Sequence, residues 1–414
     1  MECKLRKVSL KKQNEIIETC LNENLSLTDV LKGQGYEMDS LRYRVKKKFG
    51  FPEPSSDINS IRRRKKRIPC VSLFSGAGGL DIGFHLAGAD NVASLEVNEM
   101  YCDTLRVNGL SESVFQADLS KREQTESILR QQCGLTEKFE GVFHGGPPCQ
   151  PFSIASNQRF SKGGKNFKRN GFDNTELGGL ADDFIWYVER FLPKALVVEN
   201  VPGIINLDGG RWIRGTIMKL EKLGYSVAKP TIFNVAQFGV PQNRKRVFIV
   251  AARGVANVGL PLCEENELAC GAFLNRDLSN LKNHTTREHK AASVVRYMEL
   301  EYGQREKLGR VDRLDPRLPS KTVIAGGTGG GGRSHLHPEI PRTLSPRECA
   351  ILQTFPDSYE FTGPPARQLT QVGNAVPPLM AYRVAKALIQ SVFDSSKANR
   401  RNNGRTNLQK KHLA

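Results

Sequence analysis

Between residues 68 and 253 the chain repeats one pattern: a short apolar run, a turn marked by glycine, proline or an acidic residue, then a stretch of helical length. Apolar runs spaced by helices predict an α/β fold with a mostly parallel sheet, because parallel strands need a crossover and a helix supplies it. The runs fall at residues 70–74, 91–95, 113–117, 141–143, 193–198, 226–227 and 247–251. In an open sheet of this kind ligands gather at the carboxyl ends of the strands. The turns that follow the runs are therefore where chemistry is expected.

The first run opens into Ser75-Gly76-Ala77-Gly78-Gly79-Leu80-Asp81-Ile82-Gly83, a glycine-rich turn that feeds a helix and lets a nucleotide-like ligand approach the backbone. A dinucleotide-binding fingerprint would place a third glycine at position 81, where this chain has Asp81. A nucleoside without phosphates fits better than a pyrophosphate. Glu96 closes the second run and can accept both hydroxyls of a ribose; Asp118 closes the third and can accept from an adenine amino group. Together with the glycine turn, these two acids predict adenosine binding.

The fourth run ends in Gly145-Gly146-Pro147-Pro148-Cys149-Gln150-Pro151-Phe152-Ser153. Two glycines and three prolines around one thiol make a stiff loop that presents a single sulfur. Cys149 is the candidate nucleophile, the alternative being burial as a small apolar side chain. The fifth run ends in Glu199-Asn200-Val201-Pro202-Gly203 at the same sheet edge, so Glu199 and Cys149 can converge although fifty residues separate them. Arg244 and Arg246 flank Lys245, and on an extended segment they share a face from which they can brace Glu199, a substrate carbonyl or a phosphate. Residues 156–179 read as a mobile Gly/Lys-rich loop able to close over a polyanion.

The net charge of +18 is unevenly placed: residues 1–67 carry 17 Lys/Arg against 9 Asp/Glu, and residues 395–414 carry 6 against none. Basic appendages around a near-neutral body point to a polyanion partner. Residues 1–60 read as a helical extension whose third helix, at residues 39–48, is basic, in the manner of a helix-turn-helix; a small bundle with another task fits the pattern almost as well. Residues 61–67 form a basic, phosphate-attracting linker, and 395–414 a disordered basic tail. Nine scattered cysteines without a Cys-x-x-Cys pair indicate neither zinc nor disulfides, and His284, His289, His335 and His337 have no ligand spacing, so no metal is expected. No run is long enough for a membrane span, no secretory leader is evident, and a reducing, cytoplasmic setting is inferred.

These blocks, in this order, resemble the cytosine-5 DNA methyltransferases over residues 68–393. The resemblance rests on the turn at 74–79, Pro147-Pro148-Cys149-Gln150, Glu199-Asn200-Val201, Gln242-x-Arg244-x-Arg246, Gln353-Thr354-Phe355-Pro356 and Gly373-Asn374-Ala375-Val376-Pro377-Pro378. It implies S-adenosylmethionine as cofactor and a doubly wound, Rossmann-like catalytic domain at 68–253. It also implies a smaller target-recognition domain at 254–335, and C-terminal helices at 336–394 that return to complete the catalytic domain. The cofactor would be lined by Phe74, Ser75, Gly76, Ala77, Gly78, Gly79, Leu80, Glu96, Val97, Asp118, Leu119, Pro148, Leu180, Asn374 and Val376. Catalysis on a flipped-out base would fall to Cys149, Glu199 and Arg246, and less directly Arg244. The expected partner is double-stranded DNA, acted on by a monomer in a prokaryotic cytoplasm, at the nucleoid, with a cognate restriction endonuclease reading the same site. A tRNA methyltransferase on this scaffold would keep every block. A transcriptional regulator acting through residues 1–50 is a further alternative, under which deletion of residues 1–60 would leave methylation intact.

Overall fold

The structure is a computed structural model that describes residues 8–43, 58–148, 179–263, 267–308, 311–325 and 335–394. The chain divides into two compact units, one formed by residues 1–60, 239–244 and 265–374, the other by 61–238, 245–264 and 375–414.

The second unit is built on a single sheet of β1 (Ile68–Leu73), β2 (Ala89–Glu96), β3 (Val114–Gln116), β4 (Val142–Gly145), β5 (Ala195–Asn200), β6 (Tyr225–Val227), β7 (Thr231–Asn234) and β8 (Lys245–Arg253). The order is β3-β2-β1-β4-β5-β8-β6, with β7 also on β8. The strands from β3 through β5 are parallel, whereas β8 runs antiparallel to β5, β6 and β7. The winding reverses between β1 and β4, which makes their carboxyl ends the switch point of a doubly wound fold. β4 and β5 are buried along their whole length, so both read as unbroken apolar runs rather than alternating ones. On one face Phe184, Tyr187, Val188 and Phe191 of the helix Leu180–Phe191 share a core with Val71, Phe143 and Leu196.

The helix Gly79–Ala87 packs against the C-terminal helix Pro378–Ile389. A Cβ at Gly79 would overlap the carbonyl of Val376, and one at Gly83 would overlap Ala381 and the backbone of Tyr382. Two glycines one turn apart thus allow the C-terminal return to lie against the cofactor-turn helix. Only residues 375–394 make this return; residues 336–374, expected to make it too, cluster with the first unit.

Asp81, the departure from the dinucleotide pattern, is buried. Its carboxylate accepts from Ser72 Oγ (3.0 Å), Asn91 Nδ2 (2.7 Å) and Ser94 Oγ (2.8 Å), binding the first turn of the helix Gly79–Ala87 to β1 and β2. Burial raises its pKa to about 6 against these hydrogen bonds. His144 on β4 stacks on Phe84 at 4.2 Å, and burial lowers its pKa to about 3, so it is neutral at pH 7.

The basic run at 62–67 is largely committed to this unit. Arg63 pairs with Asp90, and Arg64 and Lys66 both pair with Asp394. The expected phosphate-attracting linker is therefore in large part a strap that ties the chain before β1 to β2 and to the last helical turn. Carboxylates within 4 Å neutralise these cations more effectively than distant phosphates would.

In the first unit, Ser9 and Ser26 cap the helices Leu10–Asn22 and Leu27–Gly33. The third helix expected at 39–48 does not form where the chain is described: Met38–Ser40 is one 3-10 turn and residues 41–43 are not helical, while 44–48 lie outside the described residues. Gln13 explains the difference. Its amide donates to the Arg42 carbonyl (2.8 Å) and accepts from the Arg42 N–H (3.0 Å), a pairing that holds this backbone outside a helix. Ile16, Ile17, Cys20, Leu27, Leu31, Met38 and Leu41 form one core with Ala291, Val294 and Met298. A segment that shares its core with residues 250 positions away is not a free-standing helix-turn-helix, and the expectation that it can be deleted without consequence is withdrawn on that ground.

Arg342 is fully buried between Asp39 and Glu348. Burial pushes the Glu348 carboxyl up, but the charge and hydrogen bonds of Arg342 outweigh it and hold the group at about 2; Asp39 is likewise lowered, through His284 and Arg342. A carboxyl depressed on folding stabilises the fold fully above its unfolded value of 4.5 and loses that contribution as pH falls through about 2. Thermal unfolding followed over that range should show a steeper loss of Tm with acid in the native protein than in Glu348→Gln. Parallel curves would contradict the assignment.

Candidate active site

The carboxyl ends of the parallel strands, with the amino end of antiparallel β8, form one edge of the second unit. After β1 the chain enters the glycine turn through Phe74, whose φ of +55° is a left-handed conformation uncommon in a non-glycine residue, and Gly76 and Gly78 continue at +56° and +76°. Glu96, at the end of β2, reaches into this turn: its two carboxylate oxygens accept from the N–H of Gly76 (2.8 Å) and of Asn98 (2.9 Å). Burial raises its pKa against these bonds.

This arrangement tests the ligand. The Gly76 N–H that would face a phosphate is already given to a carboxylate, which makes the turn hostile to a pyrophosphate and suited to a neutral ribose. Val97, beside Glu96, exposes 59% of its surface, an apolar step suited to the flat face of a base. Asp118 follows β3 and is partly buried, with one oxygen accepting from the Ser120 N–H and hydroxyl; Leu119 beside it is buried. Val376 is buried with its carbonyl against Gly79. Leu180 opens the helix Leu180–Phe191 and Pro148 is exposed at the end of the described β4 loop. Asn374 is exposed and belongs to the first unit. Ser75 and Ala77 are buried within the turn, and Leu80 in the first helical turn.

At β4 the two glycines serve close packing. A Cβ on Gly145 would overlap the Leu73 carbonyl, and one on Gly146 would stand 3.1 Å from Oε2 of Glu199. The Glu199 carboxylate therefore lies directly beside the backbone that leads, three residues on, to position 149. Asn200 secures the same loop by donating from Nδ2 to the Pro147 carbonyl (3.3 Å). Cys149 and the loop expected to close over the substrate lie outside the described residues.

Arg246 stands 2.7 Å, Nε to Oε1, from Glu199, and both side chains are largely buried. The antiparallel course of β8 brings this about, since Glu199 pairs with Phe248 and the start of β8 falls beside the end of β5. Arg244 does not share the task. It belongs to the first unit, where its buried guanidinium donates to the carbonyls of Val323 (3.1 Å) and Gly373 (2.9 Å). A face shared along an extended segment requires a continuous strand, and β8 begins only at Lys245.

Gln242 and Gln353 are also structural in their contacts: Gln242 Nε2 donates to Gln353 Oε1 (3.1 Å), and Gln353 Nε2 to the Val372 carbonyl (2.9 Å). Asn200 as loop anchor and Asp81 as core hub were not assigned from sequence; their only signal there is a polar residue in or beside an apolar run.

A parallel sheet with its switch point at a nucleoside turn, and an acid–arginine pair beside a Pro-Pro-Cys loop, define a nucleoside-dependent transferase of the doubly wound class. Residues 68–390 match the family described as C-5 cytosine-specific DNA methylase, and the chain belongs to that family. It is a DNA cytosine-5 methyltransferase that takes its methyl group from S-adenosylmethionine. The type II methyltransferase M1.HphI of Haemophilus parahaemolyticus is 33% identical over 340 residues, covering 77% of this chain and 86% of the relative. M.NgoFVII of Neisseria gonorrhoeae is 31% identical over 366 residues, covering 82% and 91%. Among solved structures, a DNA modification methyltransferase encoded within an E. coli prophage superposes with a TM-score of 0.62 at 23% identity, covering 78% of this chain and 99% of that one, a likeness of fold. No helix among the described residues is long and apolar enough to cross a membrane.

Proposed function

We propose that this chain is the modification enzyme of a prokaryotic type II restriction-modification system, methylating one cytosine within a short duplex sequence. The printed descriptions of its relatives as type II methyltransferases support that setting. In this reading it acts as a monomer in the cytoplasm, at the nucleoid, and a cognate endonuclease cuts the same sequence when it is unmodified. Residues 254–335 would read the bases, with the target cytosine turned out of the helix toward the sheet edge.

The observation that carries the assignment of roles is the Glu199 carboxylate, paired with Arg246 and set against Gly146. C5 of cytosine is a weak nucleophile until something adds at C6, and the thiolate of Cys149 is the group placed in sequence to do so. As the S–C6 bond forms, charge moves toward N3, where Glu199 shares its proton and accepts from the exocyclic amine. Arg246 keeps Glu199 oriented and offsets its charge. S-adenosylmethionine, when bound, supplies an electrophilic methyl group; Glu96, Asp118 and the turn at 74–80 would hold its adenosine. C5 accepts that methyl group, its proton leaves to a base, and departure of the Cys149 sulfur restores the ring.

Duplex DNA carrying 5-fluorocytosine, whose C5–F bond cannot lose a proton, should remain covalently attached to Cys149 in the presence of cofactor. Peptide mapping of the adduct to another cysteine, or no adduct from active enzyme, would overturn the assignment.

A further inference from the structure

The buried guanidinium of Arg342 has five N–H groups, and each meets an acceptor. Nε and Nη2 donate to the two oxygens of Asp39 (2.5 and 3.0 Å), Nη1 and Nη2 to the two oxygens of Glu348 (2.8 and 2.9 Å), and Nη1 also to the Thr343 carbonyl (3.0 Å). Glu348 in turn closes a capping box with Ser345 at the start of the helix Pro346–Leu352. Asp39 comes from the N-terminal extension, outside the family match at 68–390. Tyr43 adds a second brace. Its ring lies 3.6 Å from the guanidinium of buried Arg313, which has Tyr302 at 4.0 Å and donates to the Pro338 carbonyl (3.0 and 2.7 Å).

Asp39 and Tyr43 thus fix the segment from residue 335 to 344 through two buried arginines. Removing one partner of such a buried pair leaves a charge without compensation, whereas surface pairs contribute little.

We propose that Asp39 is a positioning residue for DNA capture: the extension is an integral wall of the first unit, and its carboxylate holds the 335–344 segment in the shape that engages the polynucleotide. This rests on the reading above that the recognition region at 254–335, which this segment adjoins, contacts DNA. Because Asp39 acts through Arg342 and not on the reacting atoms, its loss should affect binding of DNA and leave the chemical step alone.

The test is steady-state kinetics of full-length Asp39→Asn, with DNA affinity by fluorescence anisotropy and cofactor affinity measured in parallel. We expect KM and Kd for the polynucleotide to rise roughly ten- to hundredfold, as for misplacement by about an ångström. The kcat and the affinity for S-adenosylmethionine should stay near those of the native chain, and Asp39→Glu, which keeps the charge, should recover part of the loss. An unchanged KM, or a fall confined to kcat, would overturn the proposal. Should Asp39→Asn not fold, Asp39→Glu carries the same two readings: a raised KM at native kcat supports it, and native KM refutes it. The comparison uses whichever polynucleotide the native chain methylates. A preference for tRNA would therefore sink the duplex reading while the KM–kcat split still judged Asp39.

Discussion

Cys149→Ser should bind S-adenosylmethionine as the native chain does and lose methyl transfer by on the order of 10⁴-fold or more. The two halves of this expectation have separate physical causes. The adenosine turn is formed by β1, β2 and Glu96, whose contacts to Gly76 and Asn98 involve no group of the Pro-Pro-Cys loop. The chemical step, by contrast, needs an anion that adds to C6 and later leaves. A thiol gives up its proton near pH 8.5 and its thiolate is polarisable, whereas a serine hydroxyl without a dedicated base stays protonated at neutral pH. Equilibrium binding of the cofactor and incorporation of labelled methyl into DNA read the two halves independently. Methylation undiminished in the serine variant would remove Cys149 from the mechanism, and loss of cofactor binding would show that the substitution acts on the fold.

Glu199→Gln is expected to lower kcat by about 10²- to 10⁴-fold while KM for DNA changes little. The side chains are nearly the same size, so the packing against Gly146 survives the exchange. What is lost is the ability to share a proton with N3 as charge builds there, and the attraction of Arg246 at 2.7 Å. An amide still donates a hydrogen bond to N3, which explains why the expected loss falls short of that for the nucleophile. Single-turnover rates measured with saturating DNA would separate this from weaker binding. A native rate at saturation would mean that Glu199 orients the loop and takes no part in proton transfer.

The catalytic edge was largely legible before the structure was at hand. Apolar runs ending in glycine, proline or an acid are read directly, because burial on both faces removes the polar alternation from a central parallel strand, as in β4 and β5. The position of Asp81 already argued against a pyrophosphate, and the Glu96–Gly76 hydrogen bond supplies the physical reason. Legibility failed where a charged side chain had more than one partner to choose from. Arg244 and Arg246 look equivalent two residues apart, yet one donates to backbone carbonyls in the first unit and the other meets Glu199. The run at 62–67 looks like a phosphate magnet, yet Arg63, Arg64 and Lys66 have carboxylate partners at Asp90 and Asp394.

The sequence alone determined the strand edges, the nucleoside turn, the candidate nucleophile with its acid, and through six ordered blocks the family. These are properties of short segments, set by local steric and hydrogen-bonding rules. Only the tertiary structure decided the partners of the arginines, which residues make the C-terminal return, and the attachment of the extension. Each of those depends on contacts between residues tens to hundreds of positions apart, as between Asp39 and Arg342, where a charge is satisfied by whatever the fold brings within 3 Å and periodicity carries no record of it.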